Sequence, residues 1–481
     1  MRPDVKRFID DYYAEIESGN AAILAGAGLS VPAGFVDWRE LLRPLAEELD
    51  LDIDRESDLV AVAQFHVNRS GNNRHRLHRA IIEALSADTP PTINHRILAR
   101  LPITTWWTTN YDKLIETSLR DAGRIVDVKS AVPQLADTRP RRDATVYKMH
   151  GDVERPDEAV VTRDDYERYP RDRGAFITAL AGDLVSKTFL FVGFSFTDPN
   201  LDHVLARLRV TFQTGQRRHY ALFKRRTKLD KETDEDFEHA RVRQELVRQD
   251  LRRYNVEAVL LESYDEVTDI LEELLRRHRR RTVFVSASAA DFSPWGEEAV
   301  TQFMRALGAS IIGTGARIAT GLGLGVGNAL FTGAVEQVKR DRVGHIEDFL
   351  VVRPFPQAMA EADRRAFWED YRQDIIGDAG IALFLFGNKT AAGGIVPADG
   401  MRREFEIAQE KGLVVLPIGA TGSMAGELAR EALADPDRLL PGLDADGRAA
   451  LDALSKPVGE LETLVEPITR LVASLRPGRR R

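Results

Sequence analysis

The chain has 481 residues, of which 43% are hydrophobic and 30% are charged, a composition typical of folded globular domains. At roughly 150 residues per domain, this length allows about two to four domains, each able to bury an ordinary core. The formal net charge of −8 disfavours a dedicated nucleic-acid-binding protein.

Cysteine is absent from the sequence, and this absence excludes several kinds of site. Neither a disulfide framework nor a cysteine nucleophile can form, and a thiolate zinc site is impossible. The first residues lack the apolar stretch of a signal peptide, and no apolar run approaches the roughly 18 residues of a membrane helix. We therefore expect a cytoplasmic protein with no bound metal and no membrane partner.

The first apolar run, 21–25, leads directly into Gly26, Ala27 and Gly28. This pattern predicts a buried strand that enters a tight turn. Asp37 can then cap a helix that carries a leucine-rich face. The glycines thus lie between a strand and a helix, as in a nucleotide-binding βα unit, although a glycine turn alone is weak support for a phosphate site.

Three further apolar runs, 103–109, 144–149 and 189–192, each end at polar or glycine residues, and a fourth lies at 256–261. The three are followed, in order, by Asn110 and Asp112, by His150, and by Gly193 and Ser195. Strand-like runs that alternate with helical stretches predict a mostly parallel α/β sheet. Ligands of such sheets bind beyond the carboxyl ends of the strands, so these side chains are candidates for one site.

A second α/β pattern begins after the basic run 276–281, which we interpret as a solvated linker. Its strand-like runs and its glycine-rich run lie at 282–285, 321–327, 349–352, 381–386 and 413–418. We therefore predict two Rossmann-like domains, at 1–278 and 282–481. The charged stretch 225–249 is predicted to be an exposed helix.

Four motifs of the first domain resemble those of sirtuins, in the family's order. The segment from Gly26 to Arg39 resembles the signature GAGxSxxxGxxDFR, with Trp38 in place of the Phe. The segments 108–112, 148–151 and 193–195 resemble the sirtuin TQN-I-D segment, the catalytic-histidine segment and the later GxS turn. The resemblance covers about residues 10–275.

This resemblance implies NAD as the substrate and assigns a role to each motif. The NAD-binding residues would be Gly26, Ala27, Gly28, Ser30, Asp37, Asn110, Asp112, Gly193 and Ser195. Asn110 and His150 would be catalytic, with His150 as the general base on a ribose hydroxyl or on water. Cleavage of the N-glycosidic bond builds positive charge on the ribose, so such a site must orient its nucleophile. Histidine suits proton transfer because its ordinary pKa lies near neutrality.

One departure from the sirtuin pattern bears on the acceptor. Sirtuin deacylases usually carry a four-cysteine zinc module that helps to form the acyl-peptide groove, and this chain has no cysteine. Water is therefore favoured over acetyl-lysine as the acceptor. Two alternatives stay open: a zinc-free NAD-dependent protein deacylase, and a non-catalytic nucleotide-binding scaffold.

The second domain resembles the SLOG superfamily, a Rossmann-like group of nucleotide phosphoribohydrolases and ligand sensors. The resemblance rests on the segments 371–372, 387–389 and 400–404. Of the enzymes' GGxGTxxE loop only Gly400 and Glu404 match, and Met401 replaces the Thr, which favours binding without hydrolysis. The implied residues for a signal nucleotide are Ser286, Gly323, Gly325, Arg372, Lys389 and Glu404.

A sirtuin-like domain followed by a SLOG domain is similar to the effectors of Thoeris anti-phage defence. That resemblance implies a partner protein with a TIR domain, which makes a cyclic ADP-ribose isomer during infection. The SLOG domain would bind this isomer, and the sirtuin-like domain would then deplete cellular NAD. Such effectors commonly assemble as homotetramers through their sirtuin-like cores, so a homo-oligomer is expected.

Overall fold

The computed structural model describes residues 1–211, 215–230, 232–342, 344–356 and 361–476. The chain folds as two compact units, 1–275 and 276–481. Helix α12 (Asp265–Arg279) continues across this division, so most of the basic run is helical. Its interpretation as a solvated linker is therefore wrong, because His278 and Arg279 are only partly exposed.

In the described part of the first unit, the strands form one parallel sheet in the order β3-β4-β2-β1-β5-β6-β7. The strands are β1 (Ala21–Ala25), β2 (Thr105–Thr108), β3 (Val126–Lys129), β4 (Ala144–Lys148), β5 (Thr188–Val192), β6 (His219–Lys224) and β7 (Val256–Leu261). The predicted α/β class and the parallel sheet are confirmed.

Of the remaining helices of this unit, the first precedes β1 and the others lie between strands along the chain. They are α1 (Pro3–Glu17), α2 (Trp38–Glu48), α3 (Leu59–Arg69), α4 (His75–Leu85), α5 (Ile93–Ala99), α6 (Leu114–Asp121), α7 (Val132–Ala136), α8 (Arg163–Asp172), α9 (Gly174–Ser186), α10 (Pro199–Thr211) and α11 (Asp234–Leu251). Helix α11 begins within the charged stretch, ends two residues beyond it and is mostly exposed, as predicted.

Strand β1 is apolar throughout because helices cover both of its faces. Ile23 packs into a core shared with α1 and α12, whereas Leu24 packs into a second core shared with α9 and α10. A strand buried on both faces reads as a continuous apolar run, which is why the sequence predicts β1 correctly. Its neighbours β2 and β5 lie on opposite sides, so a crevice opens beyond its carboxyl end.

Strands β3 and β6 escape sequence prediction because polar residues break the apolar pattern of β3 and leave only the short run 220–223 in β6. In β3, Asp127 and Lys129 are both buried, and their side chains form an ion pair of 2.9 Å. In β6, His219 is buried and its Nδ1 accepts a hydrogen bond from the Phe189 amide. Burial of these groups depends on partners that the apolar pattern does not reveal, two residues away for Asp127 and Lys129 and on β5 for His219.

The described part of the second unit has a parallel sheet in the order β10-β9-β8-β11-β14 and a separate antiparallel hairpin, β12-β13. The strands are β8 (Thr282–Ser288), β9 (Arg317–Thr320), β10 (Leu350–Val352), β11 (Ile381–Phe386), β12 (Asn388–Ala391), β13 (Gly394–Pro397) and β14 (Val414–Pro417). The helices are α13 (Glu297–Gly313), α14 (Gly327–Asp341), α15 (Ile346–Phe349), α16 (Glu361–Gly377), α17 (Asp399–Glu410), α18 (Ser423–Ala434), α19 (Pro436–Leu439), α20 (Ala445–Ala453) and α21 (Val465–Leu475).

In the first unit, Lys148 at the end of β4 is fully buried, and oxygen atoms surround its ammonium group. Nζ donates to the backbone carbonyls of Tyr111 at 2.9 Å and Asp112 at 2.6 Å. It also lies 3.1 Å from Oε1 of Glu116 and 2.6 Å from Oδ2 of Asp152. Burial alone would lower the pKa of Lys148, but the two carboxylates raise it above its usual value, so the side chain stays charged.

Replacement of Lys148 by Met should lower the free energy of unfolding by about 3–5 kcal/mol, because it leaves two buried acids without their cation. Urea denaturation measures this change. The matched control is Lys113→Met, since Lys113 forms an exposed ion pair with Glu154 and should contribute at most about 1 kcal/mol. Equal stability of the Lys148→Met variant and the wild type would contradict the structural role of the ammonium group.

Candidate functional site

Asn110 follows β2, and its amide ties two loops together at the crevice. Nδ2 donates to the carbonyl of Gly26 and to Oγ of Ser30, each at 3.1 Å. The backbone N–H of Asn110 donates to Oγ1 of Thr108 at 2.9 Å. The amide is therefore held in one orientation beside the loop that follows β1.

The glycines of the first motif are required by a contact between the loops after β1 and β5. The N–H of Gly28 donates to the carbonyl of Gly193 at 3.0 Å. A Cβ on Gly26 would lie 2.4 Å from that carbonyl oxygen, and Gly193 has a φ of +63°. Only glycine tolerates such approach and such a backbone conformation. Loop crossing is thus a structural reason for these glycines, beside the expected approach of a pyrophosphate.

His150 lies just beyond the end of β4 and is almost completely enclosed. Its Nε2 is 3.0 Å from Oδ2 of Asp198, and its side chain is 5% exposed. The rings of Tyr166 and Tyr169 meet the imidazole edge to face, with centroids at 5.6 and 6.4 Å. The carbonyl of His150 accepts a hydrogen bond of 2.9 Å from the Val160 amide. Both the ring and the backbone of His150 are therefore fixed.

The sheet brings Asn110 and His150 to the same edge. Strands β2 and β4 are parallel neighbours in which Thr108 is paired with Lys148. Each candidate residue stands two positions after one of these partners, so both leave the sheet at the same level. Lys148 further joins the two loops, because it binds the carbonyls at 111 and 112 from the strand that ends at His150.

Other residues predicted to bind NAD serve local structure. Asp37 is exposed and caps α2 by accepting from the Glu40 amide at 2.9 Å. The Asp112 carboxylate accepts from the Leu114 amide at 3.0 Å, where α6 begins. The Ser195 hydroxyl lies on the surface, 2.8 Å from that of Thr197, and Ala27 is partly buried in the turn after β1. The contacts thus unite Gly26, Gly28, Ser30, Asn110 and Gly193, and place Asp37, Asp112 and Ser195 with neighbours in their own loops.

Asp198 belongs to the site, although sequence analysis did not single it out. Its Oδ1 accepts from the Leu201 amide at 2.9 Å, and the Tyr166 hydroxyl donates to its Oδ2 at 3.3 Å. Burial alone would raise the pKa of Asp198, but His150 and these hydrogen bonds lower it below its usual value. In sequence, an Asp just before Pro199 reads as an ordinary helix cap, which conceals its contact with the histidine.

Among the described residues, no cluster of three or more His, Asp or Glu side chains has the arrangement of a metal site. Within the same residues, every helix is too short or too polar to span a bilayer.

In the second unit, three of the residues predicted to bind a signal nucleotide are in contact. The Ser286 hydroxyl at the end of β8 donates to Oε2 of Glu404 on α17 at 2.6 Å. Nε of Arg372 on α16 lies 3.4 Å from the other carboxylate oxygen. Burial raises the pKa of Glu404 against the opposing effects of Ser286 and Arg372. Both oxygens of Glu404, expected to hold ribose hydroxyls, therefore already have protein partners.

The other predicted residues of this site have separate contacts. Lys389 on the hairpin forms an ion pair with Asp399, the first residue of α17. A Cβ on Gly323 would lie 1.6 Å from the Ala287 carbonyl oxygen, so the glycine-rich run packs directly on the end of β8. Gly325 has a φ of +78°, and a Cβ on it would lie 2.0 Å from the carbonyl oxygen of Ala289, just after β8. These glycines allow a close crossing of backbones.

Aromatic rings also surround Arg372, a feature that the sequence analysis missed. Its guanidinium lies 5.2 Å from the ring centroid of Phe355 and 5.7 Å from that of Trp368. Tyr371 meets Phe355 edge to face at 5.3 Å. Aromatic faces stabilise a cation and hold its planar group in place. Arg372 is therefore positioned by rings on one side and by Glu404 on the other.

Comparison with known proteins places both units in described families. A family described as SIR2-like domain matches residues 104–259, and the Sir2- and TIR-associating SLOG family matches residues 266–475. A protein named NAD(+) hydrolase ThsA from Acinetobacter baumannii (strain 532279) is 46% identical over 470 residues, which cover 96% of this chain and 97% of that protein.

Relatives of the same name occur in two further organisms. The protein from Bacillus cereus (strain MSX-D12) is 43% identical and covers 99% of both chains. The protein from Cytobacillus dafuensis is 41% identical and covers 100% of this chain and 98% of its own. Similarity at this level extends over both units, and the chain therefore belongs to the ThsA family, with an N-terminal SIR2-like domain and a C-terminal SLOG domain.

Proposed function

We propose that the chain hydrolyses NAD to ADP-ribose and nicotinamide. The observation that carries this proposal is the enclosed His150, which lies level with Asn110 at the crevice beyond β1. The name NAD(+) hydrolase, which the full-length relatives share, gives independent support. A mere nucleotide-binding scaffold would not require a buried imidazole that is held by a carboxylate.

The residues of the site have distinct tasks in this reaction. Asn110, whose amide is fixed by Gly26 and Ser30, orients the nicotinamide ribose. His150 accepts the proton of the attacking water or of a ribose hydroxyl. Loss of nicotinamide leaves positive charge on the ribose, and an enclosed site favours the positioned nucleophile over competing ones. Gly26, Ala27, Gly28, Ser30 and Gly193 line the part of the crevice assigned to the phosphates and the adjoining ribose.

His150→Ala and Asn110→Ala should each reduce nicotinamide release by on the order of 10² or more, as expected when a positioned general base or its substrate contact is lost. Chromatography of NAD and nicotinamide measures the rate, and the melting temperature reports on folding. His203→Ala is the matched control, because His203 is exposed on α10. Near-normal turnover in folded His150→Ala would falsify the catalytic assignment.

Treatment with a chelator should leave both turnover and melting temperature unchanged. The physical reason is that the chain lacks the four cysteines of the sirtuin zinc module, and the proposed chemistry needs only an imidazole and an amide. Elemental analysis of the purified protein provides the control. Stoichiometric zinc, with activity lost on its removal, would contradict this expectation. Mass spectrometry of products made with an acetylated peptide present would reveal an acyl-ADP-ribose if the chain were a deacylase instead.

We further propose that a cyclic ADP-ribose isomer activates the enzyme through the second unit. The ligand is an anionic nucleotide, and Arg372 and Lys389 offer cationic donors to its phosphates. Ser286 and Glu404 supply a hydroxyl and a carboxylate for its riboses, beside the close backbone crossing at Gly323 and Gly325. In keeping with a SLOG family described as Sir2- and TIR-associating, a TIR-domain partner would make the signal. Activation would deplete NAD in anti-phage defence, within a homotetramer in the cytoplasm.

The two cationic residues assigned to the signal nucleotide already contact carboxylates of the protein, as expected for a resting state without the nucleotide. Arg372 contacts Glu404, and Lys389 contacts Asp399. A phosphate must therefore compete with these carboxylates, and the ligand stabilises whichever arrangement it binds more tightly. A nucleotide that replaces these contacts would shift the population towards an active state.

Arg372→Ala and Lys389→Ala should each abolish activation by the cyclic nucleotide and leave basal NAD cleavage in place, because neither residue lies in the first unit. Calorimetric titration measures binding, and nicotinamide release measures the response. Arg402→Ala is the matched control, since Arg402 lies on α17 but pairs with Glu427 and Glu431. If both Arg372→Ala and Lys389→Ala bind and respond like the wild type, the signal site lies elsewhere.

A further inference from the structure

The imidazole of His150 turns its Nε2 atom towards the carboxylate of Asp198. Nε2 of His150 lies 3.0 Å from Oδ2 of Asp198, and the two side chains are only 5% and 8% exposed. Water therefore has little access to this side of the ring. A buried carboxylate is stabilised by nearby cations and donors, and the imidazole, whose Nε2 lies close to Oδ2, is one such neighbour that the sequence does not reveal.

The carboxylate selects a tautomer of the neutral ring. A neutral imidazole carries one N–H and one nitrogen with a free electron pair. Because the Asp198 carboxylate accepts but cannot donate, the arrangement with the proton on Nε2 is favoured. Nδ1 then keeps the electron pair that a general base requires.

We propose that Asp198 is a positioning residue that holds His150 with its proton on Nε2, so that Nδ1 accepts the proton released during NAD cleavage. This inference rests on the proposed NAD hydrolysis and deepens it. Asp198 itself does not touch the substrate in this account. It acts by orienting the ring and by stabilising the charge that the ring gains.

The proton and electron balance of the step is complete with NAD and water alone. The bond between the ribose anomeric carbon and the pyridinium nitrogen breaks, and its electron pair neutralises the nicotinamide. The water oxygen bonds to the anomeric carbon, and its proton passes to Nδ1 of His150. The resulting imidazolium lies against the negative charge of Asp198, which lowers the energy of this state.

The other polar groups around the ring are engaged or uncharged. Tyr166 and Tyr169, both on α8, direct their hydroxyls to Asp198 and to the carbonyl of Met149. Burial is the largest cause that raises the pKa of both phenols above its usual value, so both stay neutral. Arg173 binds backbone carbonyls at positions 130, 149 and 158.

The charged groups on the segment of His150 itself belong to another cluster, since Asp152 lies against Lys148. Among the described residues, Asp198 is thus the carboxylate in contact with the ring. It is the group whose charge should orient the ring of His150 and stabilise the positive charge that the ring gains.

Asp198→Asn tests this role because it removes the charge and keeps an oxygen that can cap α10. Turnover of NAD should fall by about 10- to 100-fold, with little change in KM. Nitrogen-15 NMR of histidine-labelled protein, assigned with His150→Ala, should show a proton on Nε2 in the wild type.

The matched control is Asp202→Asn. Asp202 lies one helical turn further along α10, borders the same 330 Å³ cavity as Asp198 and contacts the Tyr254 hydroxyl. This variant should keep the wild-type turnover and KM. Melting temperatures of all variants separate lost folding from lost positioning.

The outcomes distinguish this inference from the proposed function. Activity in folded His150→Ala would overturn both. An inactive His150→Ala, together with an Asp198→Asn variant of normal turnover, would overturn the role of Asp198 alone. Faster turnover in Asp198→Asn would also overturn it, because Asp198 would then shield the base. A wild-type ring with its proton on Nδ1 would contradict the assigned tautomer.

Discussion

A single buried ammonium group fixes the relation between the two loops on which the candidate catalytic site depends. Lys148 has no exposed surface, and its charge is balanced by Glu116 and Asp152. A buried charge of this kind is stable only with full partners, so the backbone carbonyls at 111 and 112 cannot move away without cost. The strand that ends in His150 is thereby tied to the loop that begins with Asn110.

Sequence reasoning succeeds in this protein where burial is complete and fails where polar groups are buried in pairs. The strands β1 and β11 are continuous apolar runs, β7 is interrupted only by Glu257, and the predicted bounds of all three are those of the structure. Strand β3 is hard to recognise in the sequence because Asp127 and Lys129 look like exposed charges. Only the structure shows that the two side chains are buried as an ion pair. Propensity and periodicity carry no information on such pairings.

The same limit applies to the candidate site. Asn110 and His150 could be predicted as candidates because each follows an apolar run at a strand end, and the resemblance to sirtuins suggested their roles. Asp198 could not, because its place at the start of α10 has an ordinary explanation as a cap. The glycines at 26, 28 and 193 were expected to admit a phosphate, and the structure gives them a further reason, the crossing of two loops. In the second unit, Trp368 lies one turn before Arg372 on α16, whereas Phe355 lies outside that helix and meets the guanidinium only in the fold.

The central claim is that this chain releases nicotinamide from NAD under the control of an anionic cyclic nucleotide. The most direct test is the rate of nicotinamide release by the purified wild-type chain, alone and with each member of a panel of cyclic ADP-ribose isomers. The account predicts slow release by the chain alone and much faster release with at least one isomer, with ADP-ribose as the other product. Absence of nicotinamide release under every condition, from protein that binds NAD and is folded, would contradict it.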